Sequence, residues 1–89
     1  LDKKIVIIPT YNEKENIEAI IRKVFSLPIS IDILIVDDGS PDGTGQIVKT
    51  LQQEFPSLNI MERSEKNGLG TAYIAGFKWC LEKGYDYIF

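Results

Sequence analysis

Ile31-Asp32-Ile33-Leu34-Ile35-Val36-Asp37-Asp38-Gly39-Ser40-Pro41-Asp42-Gly43-Thr44 is the stretch on which the fold turns. Ile33 to Val36 is too short a run for a helix and is apolar at every position, so residues 31–36 read as a strand buried on both faces, as in parallel sheets. The strand runs straight into a loop of acids, glycines and hydroxyls, the densest chemistry in the chain. Asp37 and Asp38 close an apolar strand, where an unpaired carboxylate is costly unless it is solvated, hydrogen-bonded or used. Alternation sends the two side chains to opposite sides, so one organises the loop and the other faces a cleft. The plainer alternative is that one caps loop N–H groups and the other is merely solvated.

Upstream, Ile5-Val6-Ile7-Ile8 is a second run of the same kind, ended by Pro9. Asn12 and Glu15 have the spacing of a capping box, which predicts a helix over 13–26. Its apolar stripe is Ile17, Ile20, Ile21, Val24 and Phe25. Downstream of the acidic loop, a second helix to about residue 54 carries Ile47, Val48, Leu51 and Phe55, and residues 58–61 form a third strand. A third helix opens near Gly68 and stops at Gly84, with Leu69, Ala72, Tyr73, Gly76, Phe77, Cys80 and Leu81 on one face. Gly76 and Cys80 read as small residues that let it approach the sheet, and Trp79, off the stripe, as half-exposed packing. Residues 85–89 begin a fourth strand. This alternation is a series of βαβ units, so the fold class is α/β with parallel strands and right-handed crossovers. Ligands in such sheets sit beyond the carboxyl ends of the strands, here at 9–13, 37–44 and 64–70.

The chain has 89 residues, 44% hydrophobic and 26% charged, enough for one modest core and no second domain. A net charge of −3 with no histidine excludes a basic nucleic-acid footprint and a His-based metal or acid/base site. Eight of the thirteen acids fall in residues 1–45, so functional carboxylates are expected early. The single cysteine, Cys80, makes no internal disulfide, which fits a reducing, intracellular setting. No apolar run approaches the roughly 20 residues needed to cross a bilayer. A start at Leu1 and an apolar end at Tyr87-Ile88-Phe89 suggest a fragment.

At the mouth of the first strand, Tyr11 offers a ring for stacking on a planar base and Glu13 a carboxylate for its N–H groups. Equally, Asn12 is a helix cap, Glu13 favours the helix dipole and Tyr11 is a surface ring. Gly68-Leu69-Gly70-Thr71 is a glycine-lined helix start suited to anions, with Arg63 and Lys66 nearby, yet it matches neither the dinucleotide nor the P-loop pattern.

Jointly, Ile7-Ile8-Pro9-Thr10-Tyr11-Asn12-Glu13, the Val36 to Thr44 loop and Gly68-Leu69-Gly70-Thr71-Ala72 resemble the family 2 glycosyltransferases. The D-G-S-P-D-G-T and G-L-G-T-A continuations resemble the dolichyl-phosphate mannosyltransferase branch and its polyprenyl-phosphate relatives. The resemblance runs in order over essentially the whole chain. It implies an A-type nucleotide-diphospho-sugar transferase fold, a Rossmann-like sheet whose N-terminal half, here residues 1–89, holds the nucleotide. Carried over by motif, Pro9, Tyr11 and Glu13 contact the nucleoside, Val36 lines the base pocket and Asp38 hydrogen-bonds the base. Asp37 organises the loop, with Gly68 and Gly70 as phosphate-side contacts.

The family's Mg²⁺ or Mn²⁺ site, an Asp-x-Asp element after the fourth strand, would lie beyond Phe89, so no metal ligand or catalytic residue is assigned. The implied reaction moves mannose or glucose from GDP-mannose or UDP-glucose to a polyprenyl (dolichyl) phosphate with inversion, at the cytoplasmic face of a membrane reached through other parts. The acceptor is already anionic and needs no strong base. The 89 residues alone are expected to bind nucleotide diphosphates weakly at best and to transfer no sugar. Alternatives are a family 2 transferase acting on a sugar hydroxyl and a non-catalytic nucleotide-binding remnant. A phospho-receiver module fits poorly, since the third strand ends Met61-Glu62-Arg63, and Pro9-Thr10-Tyr11 replaces the glycine fingerprint of a redox dinucleotide domain.

Overall fold

In the computed structural model, which describes residues 2–64 and 68–89, the two aliphatic runs are neighbouring central strands, β1 (Lys4–Thr10) and β2 (Asp32–Asp37). They pair in parallel from Ile5 opposite Asp32 to Thr10 opposite Asp37. β3 (Leu58–Glu62) flanks β2 and a short β4 (Tyr87–Ile88) flanks β1, giving an all-parallel order β3-β2-β1-β4. The chain steps one way from β1 to β3, then returns across the sheet to β4. With right-handed crossovers, that reversal puts α1 (Ile17–Phe25) and α2 (Thr44–Leu51) on one face and α3 (Leu69–Glu82) on the other.

The side chains follow this division. Ile17, Ile21, Val48 and Leu51 pack with Ile33, Ile35 and Leu58 under α1 and α2. Ile5, Ile7, Leu34 and Val36 pack with Ala72 and Cys80 under α3. Gly76 sets how close α3 comes: a Cβ there would lie 3.0 Å from Ile7 Cγ2 and 3.2 Å from Val36 Cγ2. Trp79 is half-buried and stacks on Tyr85.

Several expectations need correction. β1 does not end at Pro9 but runs through it to Thr10. Ile7 N–H points to the β4 side, where it meets the Phe89 carbonyl, so Pro9, two residues on, has its missing N–H on that same side and breaks no bond to β2. α1 starts at Ile17 rather than 13, because residues 13–16 form a turn in which the Asn16 and Ile17 N–H groups both reach the Glu13 carbonyl. There is no capping box: Asn12 sits at φ 56°, in the left-handed region, and α1 has no side-chain cap. On α3 only Ala72, Gly76 and Cys80 of the expected stripe are buried, while Leu69, Tyr73, Phe77 and Leu81 are exposed. α2 stops at Leu51, followed by turns, and β4 is shorter than expected.

Candidate functional site

The carboxyl ends of β1 and β2 meet the first turn of α3 around a cavity of about 250 Å³. Pro9, Thr10, Tyr11, Glu13, Asp38, Gly68, Leu69 and Ala72 line it. This is the end of the sheet at which the strand order reverses beside β1, where open α/β sheets bind ligands.

Loop chemistry builds the walls. Three successive backbone N–H groups after β1 donate to three side chains of the acidic loop: Asn12 to Ser40 Oγ (2.9 Å), Glu13 to Thr44 Oγ1 (3.0 Å) and Lys14 to Asp42 Oδ2 (3.1 Å). Asp42 also accepts from the Thr44 N–H at 3.0 Å and from its hydroxyl, and that hydroxyl bond, with the Lys14 and Thr44 N–H bonds behind it, holds the Asp42 carboxyl below the usual carboxylate range. The hydroxyls and acids of Ser40, Asp42 and Thr44 thus act as acceptors that pin the mouth of β1 in place. Gly39, at φ 67°, lets this loop pass the end of β3; a Cβ there would come within 3.0 Å of the Ser64 carbonyl oxygen.

The two adjacent aspartates are both buried, at 2% and 6% exposure, and part company at once. Asp37, on the α1/α2 side with Ile33 and Ile35, accepts from the Thr10 hydroxyl (2.7 Å), the Ser40 N–H (3.0 Å) and the Ser40 hydroxyl (2.6 Å). Asp38, on the α3 side with Leu34 and Val36, lines the cavity and takes a bidentate fork from Arg63, Nε to Oδ1 at 2.6 Å and Nη2 to Oδ2 at 2.8 Å. Those hydrogen bonds raise the Arg63 guanidinium further above its ordinary value.

Of the residues singled out in the sequence, Pro9, Tyr11, Glu13, Asp38 and Gly68 come together around the cavity. Val36 does not line it: it is fully buried beneath, facing Gly76. Asp37 is turned into the loop, and Gly70 is exposed on the first turn of α3, outside the lining. Lys66 lies outside the described residues. Sequence reasoning missed Thr10, Thr44 and the pairing of Arg63. The only available signal was the number of hydroxyl acceptors in the loop and a cation at the exit of β3 opposite unmatched acids.

A profile described as glycosyl transferase family 2 matches residues 5–89. The chain belongs to this family. Similar family 2 proteins include an undecaprenyl-phosphate mannosyltransferase of Micrococcus luteus, 49% identical over 92% of this chain and 34% of that protein. A polyprenol monophosphomannose synthase of Mycolicibacterium smegmatis is 48% identical over 94% of this chain and 32% of its own length. A dolichol-phosphate mannosyltransferase of Pyrococcus furiosus is 39% identical over 82% of this chain and 21% of its own length. Among solved structures, a mannosyltransferase from Pyrobaculum calidifontis in complex with GDP-Man and Mn²⁺ superposes with a TM-score of 0.81. It is 27% identical, over 86% of this chain and 24% of that one. The family 2 chain described here therefore spans about a third or less of the length of these relatives, and its parallel sheet is that of an A-type transferase. Among its described residues no three Cys, Asp or Glu side chains gather as a metal site. No described helix is long and apolar enough to cross a membrane.

Proposed function

We propose that these residues are the nucleotide-binding N-terminal part of a longer transferase that moves mannose from GDP-mannose to a polyprenyl phosphate with inversion. The observation that carries the reading is the convergence of Pro9, Tyr11, Glu13 and Asp38 on one cavity at the strand-order reversal. The choice of mannose and of a polyprenyl phosphate is supported by relatives at 49% and 48% identity whose names specify them. In this reading the base enters between Pro9, Tyr11 and Asp38, with the carboxylate accepting its ring N–H groups, and Glu13 faces the ribose side. The diphosphate lies toward Gly68 and the first turn of α3. The divalent cation belongs, on this proposal, to side chains outside the described residues, and a lipid acceptor places the transferase at a membrane surface.

Calorimetric titration of the full-length transferase with GDP tests the base contact. Asp38→Ala is expected to weaken binding roughly ten- to hundredfold, the worth of hydrogen bonds to a charged acceptor. Asp42→Ala, which removes a loop tie but no group lining the cavity, is expected to weaken it much less. Equal losses would remove the base-contact role, and tighter binding of UDP than of GDP would overturn the choice of donor.

A further inference from the structure

We propose that Arg63 is a positioning residue of the nucleotide site, holding Asp38 in a single orientation and neutralising it so that an anionic nucleotide can approach; this rests on the nucleotide reading of the cavity. A carboxylate held by one hydrogen bond turns about its own axis, whereas the Arg63 fork engages both oxygens and fixes the plane. Each oxygen still has acceptor capacity left for a ligand N–H.

Arg63 is itself held from three directions. Its backbone N–H donates to the Asp37 carbonyl at 2.8 Å. Its Nη2 also reaches Thr71 Oγ1 at 3.2 Å, and the Thr71 hydroxyl donates to the Gly68 carbonyl at 2.9 Å. The absence of a Cβ on Gly39 lets the Arg63 carbonyl close in on the other side, where that atom would lie 3.3 Å away. One side chain therefore joins the end of β2, the exit of β3 and the first turn of α3, the elements that carry Asp38 and Gly68 into the cavity. The second consequence is electrostatic. A diphosphate entering beside a bare, largely desolvated carboxylate meets like charge at low effective dielectric, and the guanidinium cancels that charge at contact distance.

The test is a set of GDP titrations on the full-length transferase with Arg63→Met, Arg63→Lys, Asp38→Asn and the Arg63→Met/Asp38→Asn double variant, each with its melting temperature. Arg63→Met is expected to weaken GDP by about tenfold or more, and Arg63→Lys, which keeps the charge but lacks the fork, to recover only part of that loss. The double variant, which leaves no unpaired buried charge, is expected to bind GDP no more weakly than Asp38→Asn alone, because Arg63 acts through Asp38. Wild-type affinity in Arg63→Lys would overturn positioning, and losses that multiply in the double variant would overturn action through Asp38. If the wild-type protein binds neither GDP nor UDP, the nucleotide reading itself fails, a result distinct from either of these.

Discussion

The two faces of the sheet are closed in different ways, and the site lies on the one covered by the single helix α3. Under α1 and α2, large aliphatic side chains interlock, and the stack of Phe25 on Phe55 (centroids 4.9 Å apart) seals the far end. Under α3 the contact is made by Ala72, Gly76 and Cys80, so the helix lies close to β1 and β2 while Tyr73, Ile74, Phe77 and Leu81 are exposed. The polar ends repeat the contrast. On the α1/α2 side, Asp37 is consumed by short ties to Thr10 and Ser40; on the α3 side, Asp38 is matched by an arginine beside open space. Among the described residues two helices cover one face and one covers the other, and the cavity opens beside the single helix.

The largest effect should come from filling the narrow contact. At Gly76 a Cβ meets two β-strand side chains, so Gly76→Ala is expected to cost about 1–3 kcal/mol and Gly76→Leu to abolish cooperative urea unfolding. The same change on the other face, Gly45→Ala, brings its Cβ within 3.1 Å of Glu62 Oε2, the tip of an exposed side chain that can swing aside. Helix propensity then leaves Gly45→Ala neutral or stabilising by up to about 1 kcal/mol. Equal urea midpoints for the two alanine variants would erase the distinction between the faces.

Next in size is the closed polar end. Asp37→Ala strands the buried Thr10 hydroxyl and frees Ser40, which in turn holds the Asn12 N–H, so a loss of about 1–3 kcal/mol is expected in the urea midpoint. An unchanged midpoint would mean that Asp37 is not the organiser of this end.

How far the sequence discloses this arrangement follows the same division. The strands, their parallel sense and most of the inward stripes of α1 and α2 are legible because period and residue size agree there, although Ile20, expected on the α1 stripe, is exposed. α3 misleads because it is apolar nearly all round: Leu69, Tyr73, Phe77 and Leu81 look like core, while the small residues interleaved with them make the contact. Gly76 and Cys80 are the readable clue. The motifs locate the cavity, yet not its wiring. Asn12 and Glu15 suggest a local cap, but the donors at 12 to 14 find acceptors 28 to 31 residues away, and Asp38 finds Arg63 at a separation of 25. Local spacing carries no information about such partners, because the sheet brings them together.

The smallest effect expected is a change in the acid limb of stability, and it concerns the tie between the β1 mouth and the acidic loop. The Thr44 hydroxyl, then the Lys14 and Thr44 N–H groups, hold the Asp42 carboxyl below its ordinary value, so the folded chain binds this proton less readily than the unfolded chain. The resulting stabilisation is fully present above the unfolded value, about 4, and disappears as the pH falls through the lower folded value. Asp42→Asn keeps an oxygen for the Thr44 N–H but removes the charge. The variant should therefore be slightly less stable than the wild type at pH 7, with the gap closing as the pH falls below about 4 in urea titrations. Glu54, lowered by its bond to Arg22, contributes an acid slope of the same sign to both proteins and cancels in the difference. A gap that stayed constant with pH would show that Asp42 holds the loop by shape alone, and the closed end of the sheet would then owe nothing to its charge.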